Sequence, residues 1–171
     1  MFLIHLFYRY FLWLIGWKIV GKRPSSLKKY VLTVAHHTSN WDFPIAVAAR
    51  PWVEVRDARF LGKDSLFKSK FGFLFYWLGG TPVDRSKKNK LVDQVAEKFE
   101  NHERYGIAIT PEGTRSYVDK WRSGFYYIAK AAKVPILMAF IDYKNREIGV
   151  HPEPFYLTED AEQDIKGIMT F

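Results

Sequence analysis

The stretch 30–42, YVLTVAHHTSNWD, contains the pattern that decides the fold. Its first six residues, 30–35, form an apolar run rich in β-branched side chains, which is typical of a strand covered on both faces. A polar loop, His36–Asp42, follows, and residues 43–50 then have the composition of a helix. A buried strand that leads through a short loop into a helix is the repeating unit of an α/β layer fold.

The rest of the chain continues this alternation. We predict further strands at 17–20, 59–61, 81–83, 106–110, 136–141 and 147–151, the last of them at an edge of the sheet. We predict helices over 2–14, 64–78, 89–103 and 124–133, with Gly72 as a weak point in the second of these. The order predicts an α/β fold with a mostly parallel central sheet flanked by helices. With 171 residues, one domain is expected, and we place it at 17–171.

The N-terminal segment 1–20 is apolar and aromatic but is interrupted by His5, Arg9 and Lys18. An arginine near the middle of a spanning helix is costly, so residues 1–16 are better read as an amphipathic helix lying in the membrane interface. The alternative is an ordinary helix packed on the core.

The charge distribution supports contact with an anionic membrane surface. The net charge is +8, and no acidic residue precedes Asp42. Basic residues beside an apolar segment favour anionic lipid, so we expect a membrane-associated protein on the cytoplasmic face. A solvated basic surface is the plainer alternative. Nucleic acid is not expected as a partner, because the aromatic residues are not interleaved with the basic ones as in single-strand binders.

Two polar loops follow predicted strands and are candidates for chemistry. His37–Asp42 follows the first long strand and Pro111–Arg115 follows another, and sites in such sheets form where strands deliver their carboxyl ends. A histidine can act as general base toward a hydroxyl, and a carboxylate such as Asp42 can orient it. His36 is a competing base, although adjacent residues at a strand end point in opposite directions. A metal site formed by these residues is a weaker alternative, since no helical histidine spacing supports it.

The second of these loops and one further turn are suited to binding an anion. The turn Glu112-Gly113-Thr114-Arg115 combines a glycine, which allows close backbone approach, with a guanidinium that fits phosphate oxygens. Arg85 lies in a second such turn. A turn with a surface salt bridge is the alternative for either one. The chain has no cysteine, which excludes a thiol nucleophile and disulfides.

Four ordered blocks resemble those of the glycerolipid acyltransferases, which include the 1-acylglycerol-3-phosphate (lysophosphatidic acid) acyltransferases. They are His37-Thr-Ser-Asn-Trp-Asp42, Gly80-Thr-Pro-Val-Asp-Arg85, Pro111-Glu-Gly-Thr-Arg-Ser116 and Val134-Pro135-Ile136. Two positions depart from the family pattern: His36 stands where many members have asparagine, and Thr81-Pro82 stands where a more apolar pair is common.

The resemblance implies an acyltransferase fold with a membrane-associated N-terminal element. It implies that acyl-CoA or acyl-carrier protein is the co-substrate, with no other cofactor and no metal, and that a lysophospholipid is the acceptor. In this interpretation His37 and Asp42 are catalytic. The residues that would hold the acceptor headgroup are Arg85, Glu112, Gly113, Thr114 and Arg115, and the fourth block would help to shape the site.

The sequence leaves three other functions open. One is acylation of a different lyso-lipid, such as an amino-acid-containing one. Another is a non-catalytic lipid-binding protein of the same fold, although pure binding requires no His37–Asp42 pair. The third, a peripheral nucleic-acid binder, would rest on charge alone.

Overall fold

The computed structural model describes residues 2–84, 91–114, 116 and 118–170. Within these residues, strands pair into one sheet of order β1-β7-β6-β2-β5-β3-β4. Every neighbouring pair is parallel except β6 with β7. The strand bounds are β1 Lys18–Val20, β2 Lys29–Ala35, β3 Ala58–Lys63, β4 Gly80–Val83, β5 Tyr105–Ile109, β6 Ile136–Asp142 and β7 Glu147–Val150. The predicted α/β class with a mostly parallel sheet is confirmed.

Helices cover both faces of the sheet. Their bounds are α1 Phe2–Leu14, α2 Asp42–Ala49, α3 Asp64–Phe67, α4 Gly72–Trp77, α5 Leu91–Glu100, α6 Gly124–Ala132 and α7 Ala161–Met169. On one face α5, α6 and α7 pack on a core that includes Val31, Ile107 and Ile136. On the other face, Leu32 and Leu137 pack under the 50–57 connection. No helix in the described residues is both long and apolar enough to cross a bilayer.

Alternation along β2 explains why this strand is apolar on both sides. Val31 belongs to the core beneath α5 and α6, and its neighbours Tyr30 and Leu32 belong to the opposite core. All three are at most 5% exposed. A strand buried on both faces reads as a continuous apolar run rather than an alternating one, which is the pattern that identified it.

Three sequence predictions need correction. Residues 147–151 do not form an edge strand, because the three-residue β1 pairs outside β7. The single helix predicted over 64–78 is two short helices, since Gly72 lies so close to Phe67 that an added Cβ would stand 1.9 Å from the Phe67 carbonyl oxygen. Helix α7, capped by the Asp160 side chain, was not predicted.

The parallel strands bring two of the resemblance blocks to one edge. β2 and β5 pair from Lys29↔Tyr105 to Thr33↔Ile109, so the loops that follow them emerge side by side at the carboxyl edge. The fourth block lies elsewhere: Ile136 pairs with Val31 near the amino end of β2 and is fully buried. It therefore packs in the core and does not shape the edge where His37 lies.

Candidate active site

His37 and Asp42 are in contact, as their spacing predicted. His37 is positioned by the end of β2 and Asp42 by the first turn of α2, and His37 Nδ1 lies 2.8 Å from Asp42 Oδ2. The carboxylate is almost fully buried, whereas the imidazole keeps 20% of its surface exposed. Because a carboxylate can only accept, the shared proton belongs on Nδ1, and Nε2 is left with a free lone pair. That nitrogen is available to take a proton from a ligand.

Asp42 is held by three further hydrogen bonds. Its Oδ2 accepts from the backbone N–H groups of Thr38 at 2.8 Å and Ser39 at 2.9 Å. Its Oδ1 accepts from the Tyr143 hydroxyl at 2.5 Å. The donors replace the hydration that a buried carboxylate loses and hold it in one orientation. Asp42 is therefore built to orient an imidazole and to stabilise its protonated form.

The first turn of α2 has no side-chain cap. Trp41 occupies the cap position and makes no side-chain cap hydrogen bond. The Asp42 carboxylate, at the first helical position, folds back toward the loop and accepts from the Thr38 and Ser39 N–H groups. An acidic side chain in the first turn also interacts favourably with the helix dipole.

Tyr143 was missed by the sequence reasoning. It follows β6 and reaches Asp42 across a separation of 101 residues. Its ring packs edge-on against Trp17, with ring centroids 5.1 Å apart. Burial, and then the hydrogen bond to Asp42, raise the pKa of the Tyr143 phenol above its ordinary value, so it remains a donor. No local pattern in the sequence links these residues.

His36 lies on the opposite side of the loop and pairs with Glu112. Its Nδ1 is 2.9 Å from Glu112 Oε1, and the ring is 76% exposed. The other oxygen of Glu112 accepts from the His37 backbone N–H at 2.7 Å. Both oxygens of this buried carboxylate thus bind the histidine loop. Glu112 couples the second loop to the first, which differs from its expected role in holding the acceptor headgroup.

A cavity of about 820 Å³ opens at this edge of the sheet. His37, Asn40 and Asp42 lie on its wall, and the remaining wall is mainly apolar. Its lining residues include Leu32, Val34, Phe60 and Ala108 of the sheet, Arg50 at the end of α2, and Phe125 and Ile128 of α6. A largely apolar cleft with a few convergent polar groups is the usual form of a small-molecule site.

Of the predicted anion-binding residues, Gly113 lines the cavity. Its φ is +66°, a conformation that favours glycine, and an added Cβ would lie 2.8 Å from Arg122 Nε. Thr114, the next residue, is half-buried and does not line the cavity. Arg85 and Arg115 lie outside the described residues.

Arg122 also lines the cavity, beside Gly113. Its backbone N–H donates to the Pro111 carbonyl at 2.8 Å. In the part of the chain that the structure describes, no group of three or more His, Asp or Glu side chains is arranged to hold a metal ion.

The chain was compared with known proteins. Residues 17–141 match the family described as Acyltransferase, which covers the histidine loop, both carboxylates and the cavity. The chain belongs to this glycerolipid acyltransferase family, which includes the lysophosphatidic acid acyltransferases. It is an acyltransferase. No curated protein and no solved structure matches it.

Proposed function

We propose that this acyltransferase moves a fatty acyl chain from acyl-CoA or acyl-carrier protein to the hydroxyl of a lysophospholipid. The favoured acceptor is 1-acylglycerol-3-phosphate, which would give phosphatidic acid. The single observation that carries the proposal is the His37–Asp42 pair on the wall of a large apolar cavity. Such a pair supplies a base, and such a cavity accommodates an alkyl chain.

The reaction is a direct transfer assisted by His37. Nε2 takes the proton of the acceptor hydroxyl while the oxygen attacks the thioester carbonyl carbon. Asp42 stabilises the imidazolium that forms. The carbon–sulfur bond then breaks, and the departing thiolate takes the proton from His37. The products are an ester and a free thiol, and the base is regenerated without an acyl-enzyme.

The part of the cavity that α2 lines is proposed to hold the acyl chain. The eight residues of α2, Asp42–Ala49, span about 12 Å. Its lining side chains there include Phe43, Ala46 and Val47. Burying apolar chain against such a wall contributes about 25 cal/mol per Å², so the donor binds mainly through its chain while the thioester stays near His37.

The acceptor headgroup is proposed to lie by Gly113. Arg122 lines the cavity there, and a guanidinium binds phosphate oxygens through paired N–H groups. Arg85 and Arg115 remain predicted contacts. Glu112 is proposed to hold the His37 loop rather than the acceptor, because both of its oxygens already accept from that loop.

Helix α1 is proposed to lie in an anionic membrane surface. Leu12 is buried against α2, but Leu6, Phe7, Tyr10, Trp13 and Leu14 are each more than half exposed. They recur at helical spacing and so form one outward apolar stripe. Arg9 does not interrupt it, because its guanidinium lies over the Trp52 ring, 4.9 Å from the centroid. An interfacial position would bring the site to its lipid acceptor.

The test is an acceptor panel. Purified protein in mixed micelles receives labelled palmitoyl-CoA or palmitoyl-carrier protein together with 1-acylglycerol-3-phosphate, lysophosphatidylcholine, a lyso-form of an amino-acid lipid, or no acceptor. We expect an acylated product with the phosphate-bearing acceptor, and less of it for Arg122→Ala. Product formed only with the amino-acid lipid would show that this lipid, and not 1-acylglycerol-3-phosphate, is the acceptor. Binding of lipids without transfer to any of them would favour the non-catalytic alternative.

A further inference from the structure

A second apolar surface lies far along the chain from α1. It consists of large side chains on and between α3 and α4, which we call the aromatic patch: Leu66, Phe71, Phe73, Leu74, Tyr76 and Trp77. Phe73 is 71% exposed and Trp77 is 65% exposed. Contiguous exposed apolar surface on a protein marks a site of contact with a partner or a membrane.

Packing beneath the patch fixes its outward direction. Phe67 is buried, and its ring contacts those of Tyr76 and Phe75 with centroids 4.8 and 5.8 Å apart. Gly72 allows α4 to begin directly against the Phe67 backbone. Since Phe67 and Gly72 fill the inward side, the remaining aromatic side chains of α4 have only the outward side available.

The patch belongs to the same outer layer as α1. Alternate residues of β3, such as Phe60 and Gly62, point to one face of the sheet. On that face Phe60 contacts Phe43 of α2, with ring centroids 5.3 Å apart. Gly62 lies against Phe67 of α3. At the end of α2, Arg50 donates to the Leu78 carbonyl at 2.9 Å. Helix α1 packs on α2 beside β6 and β7, which lie across β2 from β3. Helices α1, α2 and α4 therefore cover one face in succession.

Charge around the patch matches an anionic surface. Lys63, Lys68 and Lys70 are exposed beside it, and Asp64, the one acidic residue between 63 and 78, pairs with Lys68. Lysines attract anionic headgroups, and tyrosine and tryptophan are favoured at the headgroup level. The combination fits a lipid surface better than a purely apolar partner.

We propose that the aromatic patch is a second bilayer contact, which inserts into an anionic membrane alongside α1. The partner's identity rests on the proposed function, in which the acceptor is a membrane lipid. Two contacts on one face would hold the protein in a defined orientation, whereas α1 alone would leave it free to swing about that helix. Phe43, which lines the cavity, and its neighbour Trp41 are also exposed at the start of α2, the helix that lies between α1 and α4 in this layer.

The absence of cysteine makes a site-specific probe practicable. Phe73→Cys, Trp13→Cys and Tyr156→Cys are each labelled with an environment-sensitive nitrobenzoxadiazole group. Tyr156 is the matched control, because it is 69% exposed and its neighbour Phe155 packs in the core beneath α6. Each labelled protein is mixed with vesicles of phosphatidylcholine alone or of equimolar phosphatidylcholine and phosphatidylglycerol.

We expect a blue shift and a rise in fluorescence at positions 13 and 73 with the anionic vesicles, and none at 156. A shift at 13 alone would overturn the second contact while leaving the first. A shift at 73 caused by carrier protein, or by a higher protein concentration without lipid, would assign the patch to a protein partner or a second copy and overturn the proposal.

A binding measurement separates this proposal from the reaction. Phe73→Ser/Trp77→Ser should bind the anionic vesicles about tenfold to a hundredfold more weakly than the native protein, whereas Tyr127→Ser, an exposed aromatic on α6, should bind equally well. In micelles with a short-chain soluble donor, all three should keep the same kcat. Equal vesicle affinity of the double variant and the native protein would contradict the proposal whatever the activity.

Discussion

Two histidine–carboxylate pairs lie on opposite sides of one loop, His37 with Asp42 and His36 with Glu112. Their nitrogen–oxygen distances are 2.8 and 2.9 Å, so the distance between the paired atoms does not distinguish the two pairs. Their burial and their further hydrogen bonds distinguish them. His37 is mostly buried on the wall of the large cavity and Asp42 has three additional donors, whereas the His36 ring is largely in solvent beside a smaller cavity.

The difference shows that a base is defined by its setting as well as by its partner. Water exclusion strengthens the interaction of a developing imidazolium with its carboxylate, and the His37 side chain is 20% exposed whereas that of His36 is 76% exposed. Glu112 accepts from both His36 and the His37 backbone N–H and so holds the loop. In the proposed function the first pair takes part in the reaction and the second supports the loop, so substitutions in the first pair should have the larger effects on rate.

The largest effect is expected for His37→Ala. Removing a general base costs about 10²–10⁴-fold in rate, and we expect kcat for acyl transfer to fall by that factor with little change in donor KM. The loop hydrogen bonds from Thr38 and Ser39 do not use the imidazole, so the melting temperature should stay within a few degrees. Retention of more than a tenth of the native kcat would contradict the assignment.

Asp42→Asn should have the next largest effect. An amide can still occupy the site, but it cannot stabilise an imidazolium and can select the wrong imidazole tautomer. We expect kcat to fall about a hundredfold, measured with the same donor and acceptor. Asp119→Asn, an exposed carboxylate far along the chain, is the matched control and should retain native activity.

Tyr143→Phe should have an intermediate effect. It removes one hydrogen bond to a charged group, worth about 1.5–3 kcal/mol, so we expect kcat to fall about tenfold while the KM for both substrates stays unchanged. Because burial and Asp42 raise the pKa of Tyr143 above its ordinary value, the native phenol keeps its proton below pH 10, and the ratio of native to variant rates should be constant from pH 6 to 9. A ratio that collapses toward one by pH 9 would show that the phenol ionises early.

The smallest effect is expected for His36→Ala. Glu112 would keep its bond from the His37 backbone, so the loop should hold its shape. We expect kcat to change about threefold or less, because a solvent-exposed hydrogen-bonded pair contributes little. Glu112→Gln should cost more than His36→Ala, since its buried carboxylate also accepts from the His37 N–H.

Much of the fold could be predicted because its signals are local. The apolar run identified β2 to within one residue, and the periodicity of 89–103 identified α5, whose described part, Leu91–Glu100, ends three residues earlier than predicted. Gly72 was predicted as a weak point of the helix over 64–78, but the break between α3 and α4 was not predicted, because it depends on the close approach of Gly72 to the Phe67 backbone. Helix α7 has a cap at Asp160 and apolar residues at Ile165 and Ile168, a pattern that was present and overlooked.

The contacts of the candidate site likewise divide into those within one short stretch of sequence, which could be predicted, and those between distant residues, which could not. His37 and Asp42 are five residues apart, so one loop contains both. Strand pairing brings Tyr143 to Asp42 over a separation of 101 residues and Glu112 to His37 over 75 residues. Residue spacing along the chain could not predict either contact. The preference for His37 over His36 rested on block spacing; the cavity supplies the physical reason.

Imidazole rescue distinguishes His37 from His36 as the base of the proposed reaction. His37→Ala and His36→Ala are assayed for acyl transfer with and without added imidazole. We expect His37→Ala to be nearly inactive and to gain rate in proportion to imidazole, and His36→Ala to be active and indifferent to it. A nearly native rate for His37→Ala, with loss and rescue in His36→Ala instead, would make His36 the base.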